Sequence, residues 1–307
     1  MTDMQHSEFP GLIPGGGDLA AFMHANKAAV DAALADAGAL LFRGFDVPDP
    51  NAFDAVVEGY GEPGFTYEDS LSNAVRTNVT PRVFTANEAP PKTEIFLHHE
   101  MAQTPLYPSK LFFYCEIAAE KGGATPLCRS DWVLDRLAQE VPDFVARIES
   151  DGVRYTNVMP DSDDAASGQG RSWRSTLSVQ DRPDAETRLR QLGYDWEWRD
   201  DGSLRATTPA LEAVRRLPDG RRSFFNQLIA AFRGWADSRN DPGRSITFGD
   251  GTPITSEQMA PAIAIADALT HDLEWNEGDV ALVDNFAVMH GRRPFQGRRR
   301  VLASLVA

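Results

Sequence analysis

The segment IFLHHEMAQTP, residues 95–105, places two histidines and a glutamate side by side. Imidazole and carboxylate groups are common metal ligands, so the first question is which of them could hold a metal together. A zinc-protease helix of the H-E-x-x-H type needs a second histidine three residues after Glu100, but Gln103 stands there. The cluster therefore requires another arrangement.

Strand geometry separates the two histidines. Alternate residues of an extended strand face the same side, so His98 and Glu100 share a face and His99 points away. A third ligand is available from His290, which ends the apolar run ALVDNFAVMH. Two histidines and one carboxylate form the facial triad of non-haem iron(II) oxygenases, which leaves metal positions open for a cosubstrate and dioxygen.

An arginine cluster follows His290 directly. The segment GRRPFQGRRR, residues 291–300, carries five arginines in a chain of net charge -15. A strand running inward from Arg298 predicts that Arg300 faces the interior, where a buried guanidinium needs an anion. A dicarboxylate cosubstrate would supply one in bidentate geometry. The glycine turn KGGATP places the Thr125 hydroxyl as a second donor to the same anion.

Composition limits the classes of protein. The 307 residues suffice for one large domain. We expect residues 1–307 to form a single domain whose first 16 residues are an N-terminal arm. The negative charge disfavours nucleic acid and anionic membranes as partners. Two cysteines are too few for a disulfide scaffold, which predicts buried free thiols. No signal peptide or membrane span is evident, so we expect a cytoplasmic protein.

The hydrophobic pattern predicts helices first and many short strands afterwards. Helices are expected before Gly38, over PNAFDAVVEGY, over residues 129–149 and near 256–270. Strands are expected in ALLFRGF, TEIFLHHE, KLFFYCEIA and in the last two apolar runs. The polar, glycine-bearing residues 158–176 are typical of a long loop and are interpreted as an active-site lid. The fold class is therefore mainly β with helical decoration, α+β.

The same motifs resemble a known family. LHHEMA, KLFFYCEIAAEKGGATP, GRSW, FFNQ and DNFAVMHGRRPFQGRRRVL occur in the order seen in the taurine dioxygenase-like, 2-oxoglutarate-dependent iron(II) oxygenases. The resemblance covers about residues 35–305 and is nearest the branch of the syringomycin-pathway aspartate hydroxylase and clavaminate synthase, with Glu100 where taurine dioxygenase has aspartate. It implies a double-stranded β-helix, the cupin-like jelly roll.

The resemblance also implies roles for particular residues. His98, Glu100 and His290 would be the iron ligands, Arg300 would bind the distal carboxylate of 2-oxoglutarate, and Thr125 would help to hold it. The implied cofactors are Fe(II), 2-oxoglutarate as cosubstrate and O2. A second arginine found beyond the first in some members is absent here, where the position resembles Ser304.

The predicted function is hydroxylation of an unactivated C–H bond in a small molecule, a free amino acid or a derivative of one. His99 and Arg171 are candidate substrate contacts, although His99 also fits a structural role. Arg171 belongs to a lid that carries both charge signs, as a zwitterion would require. The sequence leaves desaturation and epoxidation open as other reaction outcomes. It also leaves open a substrate delivered in trans by a carrier protein, and a homo-oligomer.

Three other classes remain as alternatives. A zinc hydrolase could use the same ligands but would not explain the arginine and Thr125. A non-catalytic β-barrel binding protein would leave the ligands structural. A nucleic-acid demethylase of the same superfamily is disfavoured by the net charge.

Overall fold

The computed structural model describes residues 9–66, 70–71, 76–86, 89–164, 170–234 and 245–307. In these residues the strands are β1 Gly11–Pro14, β2 Ala39–Arg43, β3 Phe84–Thr85, β4 Ile95–His98, β5 Lys110–Ile117, β6 Lys121–Gly122, β7 Thr125–Arg129, β8 Val153–Met159, β9 Asp195–Trp198, β10 Leu204–Thr207, β11 Arg215–Arg216, β12 Arg222–Ser223, β13 Ile246–Phe248, β14 His271–Leu273, β15 Val280–Asp284, β16 Val288–Arg292, β17 Phe295–Gln296 and β18 Arg300–Val306.

The helices are α1 Leu19–Ala37, α2 Pro50–Tyr60, α3 Ser130–Glu140, α4 Pro142–Asp151, α5 Trp173–Leu177, α6 Arg182–Gln191, α7 Leu228–Gly234 and α8 Ser256–Leu269. The predicted first helix ends as expected, because Gly38 adopts the left-handed conformation at φ 78° and its N–H bonds to Leu34 O. Asp18 and Asp49 accept backbone N–H groups at the starts of α1 and α2.

A six-stranded sheet in the order β1-β2-β15-β5-β18-β3 forms the main layer. Its strands are buried on both faces. On β5, Phe112 and Tyr114 pack beneath α1 and α2, whereas Leu111, Phe113 and Cys115 face the opposite side. A smaller sheet, β14-β7-β16-β4, packs on that opposite side through residues such as Leu127 and Val288. The space between these two sheets holds the candidate site.

Two further features complete the described fold. The sheet β13-β8-β10-β9 packs with α3, α4, α7 and α8 around a second core that includes Tyr155, Phe224 and Phe248. No helix in the described residues is long and apolar enough to cross a membrane. Both cysteines are buried and free, as predicted, and burial raises the pKa of each thiol to about 12.

Some boundaries differ from the predictions. The helix expected over 129–149 is two helices, because Val141 leaves the helical conformation and Pro142 starts a new one. The run DVALVDNFAVMH is two strands joined by a turn at Asn285. Part of the expected N-terminal arm is strand β1, which pairs in parallel with β2, and residues 1–8 lie outside the described residues.

Candidate metal centre and its cavity

The two candidate histidine ligands meet across a strand pair. β16 runs antiparallel to β4 with His290 directly opposite His98. Opposed residues of an antiparallel pair bring their side chains close together, and the two ring centroids are 4.3 Å apart. The Nδ1–H of His98 donates to the backbone carbonyl of Phe96 at 2.8 Å, which leaves its Nε2 with a free lone pair.

Glu100 completes the cluster just beyond the end of β4. Its Oε2 lies 3.4 Å from His290 Nε2 and 3.7 Å from His98 Nε2. One donor atom from each of these three residues lies within 4.8 Å of the others. The strand expected to continue to residue 100 ends at His98, and Glu100 stands in a turn before Met101, which has φ 60°. Such a φ is strained for methionine and requires support from neighbouring contacts.

Asn285 supplies that support. Its side chain accepts the backbone N–H of Glu100 at 2.7 Å and donates to the carbonyls of Glu100 at 3.0 Å and Pro108 at 2.8 Å. The residue is fully buried in the turn between β15 and β16. It therefore links the two segments that carry the ligands. Sequence analysis did not single it out, since an asparagine between two strands is an ordinary turn residue.

His99 points away from the cluster, in agreement with the alternation argument. The side chain is fully buried, its Nδ1–H donates to Asn285 O at 2.5 Å, and Ser130 Oγ lies 2.6 Å from its Nε2. Gln227 donates to the His99 backbone carbonyl. His99 is absent from the described cavity lining and ties three segments together, which favours the structural role over the predicted contact with substrate.

Burial and mutual contacts shift the ionisation of this group of side chains. Burial lowers the pKa of His99 to about 3, because desolvation outweighs the carbonyl contacts that favour a charged ring. Burial and the neighbouring His98 lower the pKa of His290 to about 4. Burial alone would raise the pKa of Glu100, but the neighbouring His290 and His98 side chains hold it well below its usual range. At neutral pH Glu100 is thus a carboxylate and His290 a neutral imidazole.

The ionisation of His99 predicts a pH dependence of stability. Below pH 6.5, the ordinary value, the unfolded chain binds a proton at His99 that the folded chain does not bind until about pH 3. Stability should therefore fall as the pH decreases through that window, by about 2 kcal/mol per such histidine at about pH 5. Urea unfolding of the metal-free protein and of His99→Gln, followed from about pH 7.5 to 5, tests this. His290 titrates in both proteins, so the difference isolates His99, and equal pH slopes would contradict the prediction.

The donor set suits a divalent transition metal. Imidazole nitrogens and a carboxylate oxygen bind at about 2.0–2.2 Å, so three such ligands at right angles lie about 3 Å apart, close to the separations found here. His98 has its tautomer fixed by a backbone carbonyl, as metal-bound histidines usually do. Buried His290 Nδ1 has no hydrogen-bond partner in the described residues. The three residues fit iron(II), and their role as ligands stays a proposal.

A cavity adjoins the cluster and is lined by arginine side chains. The space within it amounts to about 570 Å³ when the solvent at its open mouth is included. Its lining includes the three candidate ligands, Thr125, Arg76, Arg292 and Arg299, and the apolar side chains of Phe84, Ala86, Ile95, Leu111, Phe113, Val301, Ala303 and Leu305. Arg299 donates from Nε to Gly123 O at 2.8 Å, and its terminal nitrogen lies 3.5 Å from Thr125 Oγ. Trp275 donates to the same hydroxyl oxygen at 2.9 Å.

Arg299 brings a positive charge into the cavity. Burial and the positive charge of Arg292 lower its pKa to about 10, so it stays protonated at neutral pH. Among the residues described, no carboxylate forms an ion pair with it. A guanidinium that is partly removed from water without a charge partner is costly unless an anion joins it. The arginine and Thr125 together are suited to bind a carboxylate in this cavity.

The expected placement of Arg300 is corrected. Its guanidinium pairs with Glu116 at 2.5 Å, and its side chain is 42% exposed. A register shift between Arg300 and Val301 separates the two along β18. Side chains do alternate along this segment as predicted, but the odd-numbered residues Val301, Ala303 and Leu305 are the ones that line the cavity. Arg299 lines it with them, whereas Arg300 does not.

The candidate lid is only partly described. Residues 165–169 lie outside the described residues, while 173–177 belong to α5. Arg171 is half-buried and donates to Ser175, and it is absent from the described cavity lining. Asp161 binds Arg174 at 2.7 Å, and Asp163 accepts the Ser172 N–H at 2.6 Å. These charges have partners inside the segment, so the contacts do not support the binding of a zwitterion by residues 158–176. That the segment acts as an active-site lid stays a prediction.

Comparison with known proteins identifies the family. A family model described as the taurine catabolism dioxygenase TauD, TfdA family matches residues 7–305. A clavaminate synthase-like protein of Arabidopsis thaliana is 43% identical over 277 residues, covering 90% of this chain and 83% of that protein. The dapdiamide synthesis protein DdaC of Enterobacter agglomerans is 30% identical over 289 residues, covering 90% and 84%. The chain belongs to the TauD/TfdA dioxygenase family.

Solved structures agree in fold. AAD-2, solved with Mn(II) and N-oxalylglycine, has a TM-score of 0.56 at 15% identity and covers 100% of this chain and 97% of its own. A taurine dioxygenase from Burkholderia xenovorans has a TM-score of 0.54 at 16% identity, with 100% and 90% covered. The predicted family is confirmed, and with it an oxidoreductase whose cofactors are Fe(II), 2-oxoglutarate and O2.

Proposed function

We propose that this protein is an Fe(II)/2-oxoglutarate-dependent dioxygenase that hydroxylates an unactivated C–H bond of a small amino acid or amino-acid derivative. The observation that carries the proposal is the joint presence, in one cavity, of the His98–Glu100–His290 cluster and of Arg299, which has no carboxylate partner among the described residues. A metal-binding triad alone would fit many reactions. A triad beside a cationic subsite fits a metal enzyme that takes a carboxylate-bearing cosubstrate.

The fold we infer is a single jelly-roll domain. Two packed sheets with the candidate site between them support it, as does the similarity to known dioxygenase structures. In such a fold, rigid strands hold the site residues, since His98 and His290 lie on neighbouring strands of one sheet. Precise placement on strands favours chemistry that depends on orientation.

Three side chains would hold the metal. His98 and His290 would present Nε2 and Glu100 would present Oε2, at the cavity wall that these three residues line. Iron(II) bound there would supply dioxygen activation coupled to oxidative decarboxylation of 2-oxoglutarate. Glu100 occupies the place that related halogenases leave for chloride, so we infer hydroxylation rather than halogenation.

Arg299 and Thr125 would orient the cosubstrate. The guanidinium is already fixed by Gly123 O, so little further ordering is needed when it binds the distal carboxylate. Trp275 holds the Thr125 oxygen as an acceptor, so that the threonine hydroxyl proton is free to be donated to the carboxylate. Phe113 and Val301 contribute apolar walls that limit water near the reacting centre.

The substrate class follows from the relatives rather than from the cavity. The match to DdaC, named for dapdiamide synthesis, and to a clavaminate synthase-like protein supports an amino-acid hydroxylase. A substrate presented by a carrier protein in trans and a desaturation outcome stay open. A zinc hydrolase would not explain the charge of Arg299 in the cavity, and the same is true of a non-catalytic barrel.

The function is tested by two measurements on one preparation. Anaerobic addition of Fe(II) and 2-oxoglutarate should produce the weak visible charge-transfer band of the chelate. Aerobic incubation with each common amino acid should then release succinate and give a product heavier by one oxygen. Glu100→Ala serves as the inactive control. Absence of the band together with zinc-dependent hydrolysis would overturn the proposal.

A further inference from the structure

A second cavity lies beside the cavity of the metal cluster. Its space amounts to about 440 Å³ when the solvent at its open mouth is included. None of the three candidate metal ligands belongs to its described lining, and it shares only Arg299 and Val301 with the metal-side cavity. The two cavities therefore meet at these two residues.

The two cavities follow one another along a single face of the main sheet. On β5, Leu111 and Phe113 line the metal-side cavity, whereas Cys115 and Ile117 line the second cavity. Alternate residues of a strand face the same side, so all four side chains point into one interlayer space. β18 pairs with β5, and Val301 lies opposite Cys115 where the two cavities meet. The interlayer space thus continues past the metal-side cavity.

Arg299 stands at this boundary, beside a glycine that makes room for it. Gly123 has φ 78°, and a Cβ added there would lie 3.0 Å from both Arg299 Cδ and Ala119 Cβ. The Arg299 Nε–H donates to Gly123 O at 2.8 Å. A guanidinium has five N–H donors in all, so donors remain for a ligand carboxylate. Because Arg299 lines both cavities, that carboxylate can meet it on the side of either one.

The second cavity has no charge preference that would make it a separate anion site. Its described charged side chains are two acids, Glu120 and Glu274, and two bases, Lys121 and Arg299. These charges balance, so a free anion gains little there except at Arg299 itself. The space is better suited to extend the cosubstrate site. A site that ended in packed protein would instead reject an added methylene.

We infer that the cosubstrate site is open at its distal end and also binds 2-oxo dicarboxylic acids longer than 2-oxoglutarate, beginning with 2-oxoadipate, which has one more methylene. The inference rests on the proposed function and extends it. The 2-oxo acid end keeps its place at the metal cluster, and the distal carboxylate still meets Arg299. The added methylene takes up the space towards the second cavity, so Ala119 in the wall of that cavity limits the chain length.

Two acids of different length test this. Anaerobic protein loaded with Mn(II) is titrated by calorimetry with 2-oxoglutarate and, separately, with 2-oxoadipate. Wild type should bind both, with dissociation constants within about tenfold of each other. Ala119→Phe fills the second cavity from its wall. It should weaken 2-oxoadipate by roughly 5- to 100-fold, the size of an overpacking penalty, and 2-oxoglutarate by no more than about twofold.

Ala28→Phe is the control for the added bulk. Ala28 is an exposed residue of α1 that lines neither cavity, so both affinities should stay as in wild type. The inference is overturned if wild type binds 2-oxoadipate more than about tenfold more weakly than 2-oxoglutarate. It is also overturned if Ala119→Phe weakens both acids equally or neither. Wild type that binds neither acid contradicts the proposed function, whereas binding of 2-oxoglutarate alone contradicts only this inference.

Discussion

Replacing His290 by alanine should abolish tight Fe(II) binding and with it 2-oxoglutarate turnover. The replacement removes one of three donors whose Nε2 and Oε2 atoms converge. Loss of an outer partner of a metal ligand already costs about 10- to 100-fold in affinity, so loss of a ligand should exceed this. Metal content after equilibrium dialysis, together with succinate release, measures the effect. His98→Ala should behave in the same way.

His99→Gln is the control for both ligand variants. His99 is the sequence neighbour of two proposed ligands, but its ring contacts Asn285 and Ser130 instead of the cluster. We expect lower stability and retained metal. If His99→Gln and His98→Ala lose the metal equally, the assignment of ligands by strand alternation is wrong. If His290→Ala retains metal at wild-type affinity, the triad itself is wrong.

Part of the candidate metal-ligand group could be predicted from the sequence, because the local geometry of the chain decides which neighbouring side chains share a side. At the end of β4, His98 and the next residue, His99, point to opposite sides, as consecutive residues of an extended segment do. Local geometry could not place the distant His290, since only the register of β16 against β4 brings its ring to that of His98. Chemistry supplied that link: two histidines and a carboxylate form a recognised donor set.

The arginine that lines the cavity could not be identified from the sequence in this way. β18 is apolar on both faces, so its sequence RVLASLV has no polar side to distinguish cavity from helix layer. A shift of one residue exchanges every side chain between the faces. The choice between Arg299 and Arg300 therefore depended on the register of β18 against β5, which no local pattern encodes.

Supporting residues were also invisible in the sequence. Asn285 and Trp275 act through bonds to partners far along the chain, at Glu100 and Thr125. Neither lies in a motif with a chemical meaning of its own. Tertiary pairing, rather than residue type, gives these side chains their place.

Arg299→Ala should raise the 2-oxoglutarate requirement sharply while Fe(II) binding survives. The guanidinium is half-buried, stays charged and meets only neutral oxygens in the described protein, so a bound carboxylate would be its charge partner. Removing one partner of a buried, hydrogen-bonded charge pair costs about 2–5 kcal/mol, or roughly 30- to several-thousand-fold in affinity. Calorimetric titration of the metal-loaded, anaerobic protein with 2-oxoglutarate measures the dissociation constant of each variant directly.

Arg300→Ala is the matched control, one residue away on the same strand. Arg300 pairs with Glu116 and is 42% exposed, and exposed ion pairs contribute only about 0–1 kcal/mol to stability. Its loss should change the 2-oxoglutarate affinity by no more than about twofold, since its charge faces away from the cavity. Arg299→Lys should fall between wild type and alanine, because an ammonium keeps the charge but not the bidentate fork. A large loss in Arg300→Ala with none in Arg299→Ala would mean that β18 presents the opposite face to the cosubstrate.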